Sequence, residues 1–360
     1  MDRPIVAIDA RLLGRRGTGD TTYWTGLLHG LSRIEHGLRF LLLSNVEKPL
    51  GIPESPYFEW RTLRSRIDRW WSLVRFPLAA RSLGAKAIHT QYNLSPLAGR
   101  IAVTTIHDVS FLIEPAWFRA KDRALLRRFV PASARRAGRV ITVSESSKRD
   151  ILEHLPFTSE KLRVTPLAAH PGIRRVPREE AAARVRNQFG VSEPYLLAVG
   201  TRWPRKNVSL AVRAVEGLPN EVPHRLAITG KSGWGEEERG SRVIETGYAE
   251  TEQLCDLYSA ADLFLVPSLH EGFGLTVLEA FVCGCPVVCS QGGALPEVAG
   301  DAALVVPSWE PADWTRAIAG LLSDSSKLQA MRDAGSKRAE GFRWEETAET
   351  TCAVYREVIS

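Results

Sequence analysis

Two glutamates in the C-terminal half of the chain stand eight positions apart around a glycine-bearing turn. Glu271 follows an apolar run that ends at Pro267, and Glu279 lies in the second turn of a helix predicted to begin near Gly274. The free amides and positive dipole at a helix start bind anions, whereas carboxylates accept hydrogen bonds from paired sugar hydroxyls. The pattern predicts sugar binding by the two glutamates and phosphate binding by the turn between them, which comprises Gly272, Phe273, Gly274, Leu275 and Thr276.

Two adjacent cations, Arg205 and Lys206, lie in the turn that follows the first predicted strand of the same half, within Val199–Asn207. Negative charge develops on a phosphate leaving group as the bond to it breaks. Fixed cations at this place would therefore act mainly on the transition state. Arg202, three positions earlier, is a further candidate for the same role.

Two turns of the N-terminal half also follow predicted strands. His107 and Asp108 end the apolar strand within Thr104–Phe111, where such side chains are commonly structural hydrogen-bonding groups. Gly17 and Gly19 lie in a turn after the first strand. Their spacing is not G-x-G-x-x-G, so the dinucleotide fingerprint is absent and a plain tight turn is the alternative.

The elements that position these turns are βαβ units, because short β-branched runs alternate with helical patterns almost throughout. Pro171, Gly172 and Pro177 interrupt both periodicities. We therefore expect two α/β domains, residues 1–172 and 173–343, with a cleft between the carboxyl ends of their sheets. A final helix within residues 344–360 is expected to pack back on the first domain.

The predicted strands are Ile5–Ile8, Phe40–Ser44, Ala87–Thr90, Val103–Ile106, Val140–Val143, Tyr195–Val199, Leu226–Thr229, Val243–Gly247, Leu263–Pro267, Val287–Cys289 and Ala303–Val306. The predicted helices include Thr21–Ile34, Arg66–Leu83, Arg119–Arg136, Glu145–His154 and Trp344–Val358.

Glu271 and Glu279, around Gly-Phe-Gly-Leu, resemble the E-x7-E motif of glycosyltransferase family 4, whose members have the GT-B fold of two Rossmann-like domains. The resemblance implies that Glu271 lies by the donor sugar and that Glu279 binds the nucleotide ribose. Val199–Asn207 resembles the Arg-Lys-Asn phosphate motif of this family. By that likeness Arg205 and Lys206 hold the donor diphosphate.

The resemblance extends to the N-terminal half. In related enzymes a His-Asp pair faces the donor sugar across the cleft, which implies that His107 contacts the sugar and that Asp108 orients it or meets the acceptor. Family members carry a Gly-x-Gly loop near the donor phosphates, where this chain has Gly17 and Gly19 in a slightly longer turn.

The charge distribution indicates which kinds of partner the chain can bind. Residues 1–172 carry 27 Lys and Arg against 15 Asp and Glu, whereas residues 173–360 carry 20 against 26. The N-terminal half is therefore the better partner for an anionic surface. Its stretch Trp60–Gly84 mixes arginines with Trp70, Trp71 and Phe76, which indicates peripheral membrane contact, although aromatics at helical spacing are more often core.

No cofactor and no metal are expected. The five cysteines, Cys255, Cys283, Cys285, Cys289 and Cys352, lack the companion pair or histidines of a metal site. No stretch approaches the roughly 20 apolar residues of a membrane span. The apolar run near the N-terminus is also too short for a signal peptide, so we expect a cytosolic protein that can make peripheral contact with the inner face of a membrane.

The favoured hypothesis is a retaining glycosyltransferase that moves a hexose, such as mannose or glucose, from a nucleotide-diphosphate sugar to an unidentified glycan, lipid-linked sugar or small molecule. A GT-B-fold epimerase or phosphorylase is the alternative among enzymes. A basic protein that binds membranes or nucleic acid is the alternative outside them, although no nucleic-acid module is recognisable and no nucleic acid is expected as a partner. A glycosidase that uses Glu271 and Glu279 would not need the two cations.

Overall fold

The computed structural model describes residues 3–13, 19–192, 194–234 and 239–360. The chain forms two compact units. Unit 1 comprises Met1–Pro171 and Arg343–Ser360, and unit 2 comprises Gly172–Phe342. Both are α/β units built on a parallel sheet, so the predicted fold class is confirmed.

The described part of unit 1 holds a seven-stranded sheet in the order β3-β2-β1-β4-β5-β6-β7. Every pair of neighbours is parallel. The strands are β1 (Ile5–Asp9), β2 (Arg39–Ser44), β3 (Phe58–Thr62), β4 (Ala85–Gln91), β5 (Ala102–Thr105), β6 (Arg139–Thr142) and β7 (Leu162–Val164). The helices of this part are α1 (Gly19–Leu31), α2 (Asp68–Trp70), α3 (Phe76–Ser82), α4 (Ser110–Ile113), α5 (Ala120–Arg136) and α6 (Glu145–His154).

The described part of unit 2 holds a six-stranded parallel sheet in the order β10-β9-β8-β11-β12-β13. Its strands are β8 (Tyr195–Val199), β9 (Arg225–Thr229), β10 (Val243–Gly247), β11 (Leu263–Val266), β12 (Val287–Ser290) and β13 (Leu304–Val306). Its helices are α7 (Arg178–Phe189), α8 (Val208–Glu216), α9 (Thr251–Ala260), α10 (Leu275–Val282), α11 (Leu295–Ala299), α12 (Pro311–Leu322) and α13 (Ser325–Glu340).

The last helix, α14 (Trp344–Ile359), belongs to unit 1 and packs along α1. Its first residue, Trp344, donates a hydrogen bond from Nε1 to the carbonyl of Ala169, 2.7 Å away. Two glycines of α1 make room for it: a Cβ built on Gly26 would lie 2.0 Å from the indole of Trp344, and one on Gly30 would lie 2.0 Å from its carbonyl oxygen. The close approach of the two helices therefore requires glycine at both positions.

The predicted strands all occur, and no end differs from the prediction by more than two residues. Strands β3 and β7 were not predicted. The helix predicted over Arg66–Leu83 is broken, because a π-helical turn over Trp71–Arg75 separates α2 from α3, in which Pro77 is the second residue.

The aromatic side chains of this stretch divide between core and surface. Trp71 and Phe76 are fully buried, and Trp71 donates from Nε1 to Asp9 Oδ1 at 3.1 Å. Trp70 remains 55% exposed. The interpretation of all three aromatics as a membrane-facing group is therefore wrong for Trp71 and Phe76, which pack in the hydrophobic core of unit 1.

Among the residues that the structure describes, none of the helices combines the length and the apolar composition needed to span a bilayer.

Candidate active site

The strand order of unit 2 explains which loops meet. The order reverses between β8 and β11, which pair directly through Leu263 with Leu196 and Phe264 with Leu197. Loops that leave the carboxyl ends of parallel strands at such a switch point share one edge of the sheet, where open α/β folds bind ligands. The loop after β8 carries the two predicted cations, and the loop after β11 carries Glu271.

The two cations and the glutamate form one buried ionic cluster. Lys206 Nζ lies 2.7 Å from Glu271 Oε1, and Arg205 Nη1 lies 3.0 Å from Glu271 Oε2. Ser268 Oγ donates to Glu271 Oε1 at 2.6 Å, and Arg205 Nη1 also donates to the carbonyl of His270. The loops are joined through the backbone as well, because the amide of Leu269 donates to the carbonyl of Arg205 at 2.8 Å.

Local backbone geometry places Lys206 over the end of β8. Pro204–Lys206 form a single 3₁₀ turn, which ends at Asn207 in the left-handed conformation (φ 48°) before α8 begins. The aliphatic part of Lys206 passes over Gly200, where a Cβ would lie 3.5 Å from Lys206 Cε. The side chain is thus directed back towards the loop after β11.

A third loop, which follows β12, supports the backbone of Glu271. The amide of Ala294 donates to the carbonyl of Glu271 at 2.8 Å, and Ser290 Oγ donates to the carbonyl of Ser268 at 2.5 Å. A Cβ on Gly293 would lie 2.3 Å from the Glu271 carbonyl oxygen. The backbone of Glu271 is therefore supported by this third loop, while its side chain is held by Arg205, Lys206 and Ser268.

Helix α10 carries the second glutamate. Its first turn begins after Gly274, which takes a positive φ of 107° that disfavours other residues. Glu279 is buried in the second turn, and Tyr258 donates its hydroxyl to Glu279 Oε2 at 3.4 Å. Gly272 and Phe273 are buried before the helix, and Leu275 and Thr276 are half-buried at its start.

The two glutamates differ in protonation. Burial alone would raise the pKa of Glu271, but the charges of Lys206 and Arg205 and the hydrogen bonds outweigh it and hold this pKa far below the usual range. Burial raises the pKa of Glu279 to about 7. Since two cations face one ionised carboxylate, the cluster keeps a net positive charge, which suits an anionic ligand.

Both halves of the chain match known families. Residues 179–338 match the model described as "Glycosyl transferases group 1", and residues 19–171 match "Glycosyltransferase Family 4". The chain is 35% identical over 268 residues to the O-antigen chain mannosyltransferase B of Escherichia coli, which covers 71% of this chain and 70% of that protein.

The chain belongs to glycosyltransferase family 4.

Solved structures share the fold of this glycosyltransferase. Sucrose-phosphate synthase from Thermosynechococcus elongatus superposes with a TM-score of 0.73 at 23% identity, and 98% of each chain is covered. The Anabaena protein HepE in complex with UDP and glucose gives a TM-score of 0.72 at 17% identity, again with 98% of each chain covered. The predicted family and the GT-B architecture are both confirmed.

In unit 1 of the glycosyltransferase, His107 follows β5 and is held by three neighbours. Its Nε2 donates to Gln91 Oε1 at 2.7 Å, and the rings of Tyr23 and Tyr92 lie 5.0 and 5.6 Å from its own. Burial lowers the pKa of His107, although Asp20 and Asp108 oppose that shift. Burial therefore favours the neutral form of the imidazole.

Asp108 stabilises the turn that follows it by accepting hydrogen bonds from Ser110. Its Oδ1 accepts from the amide of Ser110 at 2.8 Å and from the Ser110 hydroxyl at 2.5 Å. These bonds fix the turn that leads into α4. Of the predicted glycine pair, Gly19 is the first residue of α1, and Gly17 lies outside the described residues.

Arg202 is drawn towards a different carboxylate from the two other cations. Its Nη2 lies 2.7 Å from Oε2 of Glu245 in β10. This hydrogen bond is the main cause of the lowered pKa of Glu245.

Two supporting residues of the glycosyltransferase were missed by the sequence interpretation. Ser268 bonds Glu271, and Tyr258 bonds Glu279. Their spacing to the glutamates, three and 21 positions, does not reveal these contacts.

Proposed function

We propose that the chain transfers a hexose from a nucleotide-diphosphate sugar to an acceptor hydroxyl with retention at the anomeric carbon. The observation that carries the proposal is the cluster of Arg205, Lys206 and Glu271 at the carboxyl edge of the unit 2 sheet. It supplies surplus positive charge for a diphosphate and a carboxylate for sugar hydroxyls within one buried site.

In the proposed reaction the bond between the anomeric carbon and the diphosphate oxygen breaks, and the acceptor oxygen bonds to that carbon on the same face. The leaving diphosphate takes the acceptor proton. Arg205 and Lys206 stabilise the charge that develops on the diphosphate. Glu271 accepts hydrogen bonds from the transferred sugar, and Glu279 accepts them from the ribose.

Mannose or glucose is the proposed sugar, and a glycan, a lipid-linked sugar or a small molecule is the proposed acceptor. The Escherichia coli relative is named a mannosyltransferase, and the Anabaena structure contains UDP and glucose. Since Arg205 and Lys206 bring positive charge to the proposed diphosphate site, we propose that transfer needs neither a metal nor another cofactor.

The test has two stages. Thermal-shift measurements with UDP, GDP, ADP and their hexose conjugates identify the nucleotide, because a ligand that binds only the folded state raises its melting temperature. The selected donor is then supplied with candidate acceptors, and proton NMR reads the anomeric configuration of the product. Stabilisation by none of the donors, or an inverted product, contradicts the proposal.

We also propose peripheral membrane contact through the surface of α2 and α3. Ile67, Trp70 and Leu78 are 64%, 55% and 50% exposed. Exposed arginines accompany them along this surface, namely Arg66, Arg69 and Arg75. Exposed indole and aliphatic groups beside cations suit the interface of an anionic bilayer.

Liposome flotation with and without anionic lipid tests this contact. The wild type should float with anionic vesicles at low salt, and Trp70→Ala combined with Arg69→Gln should reduce the floated fraction severalfold. Arg186→Gln, on an exposed position of unit 2, is the control. Absence of flotation at low salt ends the idea.

A further inference from the structure

Unit 2 has an open cavity whose lining includes residues that precede strands β11 and β12. Ser259, near the end of α9, precedes β11, and Gly284 precedes β12. The cavity therefore lies at the amino edge of the sheet, whereas Arg205 and Glu271 lie at the carboxyl edge. Its volume is about 670 Å³, within the range of small-molecule sites.

Three arginines line this cavity. Arg175 and Arg178 are exposed at its mouth, and Arg332 of α13 is partly buried. Within the described part of the chain, the buried Nη1 of Arg332 has no hydrogen-bond partner. Arg178 is bound to Asp262 at 2.8 Å. Arg332 therefore contributes a buried guanidinium nitrogen with an unused hydrogen.

The guanidinium group of Arg175 packs against Gly284. Gly284 has a φ of +73°, and a Cβ built on it would lie 3.1 Å from Arg175 Cζ. The guanidinium group thus rests against bare backbone, which also leaves the cavity open. Any side chain at position 284 would be strained and would displace Arg175.

The nearby carboxylates do not neutralise the cavity. Asp262 is shared between Arg178 and His224, whose Nε2 lies 3.2 Å away. Asp324 accepts hydrogen bonds from the amide of Lys327 at 2.9 Å and from the Ser326 hydroxyl at 2.7 Å. No described carboxylate lines the cavity itself. The cavity therefore carries a surplus of positive charge that an anion would relieve.

The environment of Arg332 also favours binding of an anion. Burial, opposed by Cys285 and Asp262 and reinforced by Arg178 and Arg175, lowers the pKa of the Arg332 guanidinium. The planar fork of an arginine matches a phosphate group with two parallel hydrogen bonds. Apolar residues beside the arginines, Val176, Pro177 and Leu328, can cover an organic portion.

We propose that this cavity binds a small phosphorylated organic molecule through Arg175, Arg178 and Arg332. The site is separate from the proposed donor site and would function as a second, independent anion site of the chain. The proposal does not depend on the identity of the donor or of the acceptor.

The test is the number of sites for inorganic pyrophosphate, measured by isothermal titration calorimetry at fixed ionic strength. Arg175→Gln with Arg332→Gln should remove one site or weaken it by at least ~10-fold, since each charged hydrogen bond contributes about that much. Arg186→Gln with Arg225→Gln, two exposed positions outside the cavity, should leave the sites unchanged.

An equal number of sites with unchanged affinity in the wild type and the cavity variant overturns the proposal, whatever happens at the donor site. Loss of the same site in the control variant overturns it too, because the binding would then be non-specific. Circular dichroism verifies the fold. If the double variant unfolds, Arg175→Gln alone serves, since this side chain is exposed, and it should weaken the same site.

Discussion

The ammonium nitrogen of Lys206 lies 2.7 Å from Oε1 of Glu271, so the proposed phosphate-binding cation is paired with the proposed sugar-binding carboxylate. Arg205 holds the other oxygen of the same carboxylate at 3.0 Å. A donor diphosphate must therefore share these cations with Glu271. This competition separates the consequences of removing a cation from those of removing the carboxylate.

Replacing Lys206 by Met should lower kcat/KM by roughly 100- to 1,000-fold, because one fixed donor to the leaving diphosphate is lost. The fold should survive, since Arg205 and Ser268 still bind Glu271. Steady-state kinetics with the donor identified above measures the effect, and Lys337→Met, at an exposed position of α13, is the control. Unaltered kinetics would remove Lys206 from the site.

Glu271→Gln should separate binding from turnover. The substitution removes the negative charge that competes for Arg205 and Lys206, so the nucleoside diphosphate should bind more tightly. Turnover should nevertheless fall, because the carboxylate proposed to bind the transferred sugar is gone. Calorimetry gives the first quantity and initial rates give the second. Weaker binding of the diphosphate would show that Glu271 does not compete with it.

Glu279→Gln should change how stability depends on pH. The pKa of Glu279 is raised from 4.5 to about 7 in the folded chain. The folded state therefore retains a proton that the unfolded state has lost, and the free energy of unfolding falls as the pH rises from 4.5 to 7. The loss approaches about 3 kcal/mol and is complete above pH 7.

Chemical denaturation at several pH values between 4.5 and 8 measures this contribution. The stability of Glu279→Gln relative to the wild type should increase across that window and then stay constant, because glutamine does not titrate. A difference between the two proteins that is the same at every pH would show that Glu279 ionises normally.

Removal of divalent metal should leave transfer intact. In the proposed mechanism, Arg205 and Lys206 supply the positive charge that a metal would otherwise bring to the diphosphate. Initial rates after treatment with EDTA should therefore equal those of the untreated enzyme, with added magnesium as the companion measurement. A rate that EDTA abolishes and magnesium restores would overturn this expectation.

Most strands of this fold could be predicted from the sequence because they are buried and apolar. Strands β3 and β7 escaped prediction for a physical reason. They are the two edge strands of the unit 1 sheet. Strand β3 is only half-buried and includes Glu59 and Arg61, and β7 has only three residues. The pairing of such strands depends on the neighbouring strand and not on their own composition.

The meeting of Lys206 with Glu271 was predictable, since adjacent parallel strands bring their following loops to one edge. Contacts between residues far apart in the sequence were not predictable, and unit 1 provides an example. His89 in β4 bonds Tyr355 in α14 through Nδ1 at 2.6 Å and Thr105 through Nε2 at 2.8 Å. His89 and Tyr355 are 266 positions apart. A pattern of local spacing cannot reveal a contact of that kind.

The docking of α14 on α1 yields the last prediction. Gly26→Ala should destabilise unit 1 by about 1–3 kcal/mol, because the added methyl group would overlap the indole of Trp344. Gly320→Ala, in α12 with nothing within 4 Å of the added Cβ, is the matched control. It should stabilise its helix by about 0.5–1 kcal/mol, since alanine loses less backbone entropy than glycine. Chemical denaturation measures the change in the free energy of unfolding for each variant, which should be negative for Gly26→Ala and positive for Gly320→Ala. Equal stabilisation by both substitutions would show that α14 does not pack closely on α1.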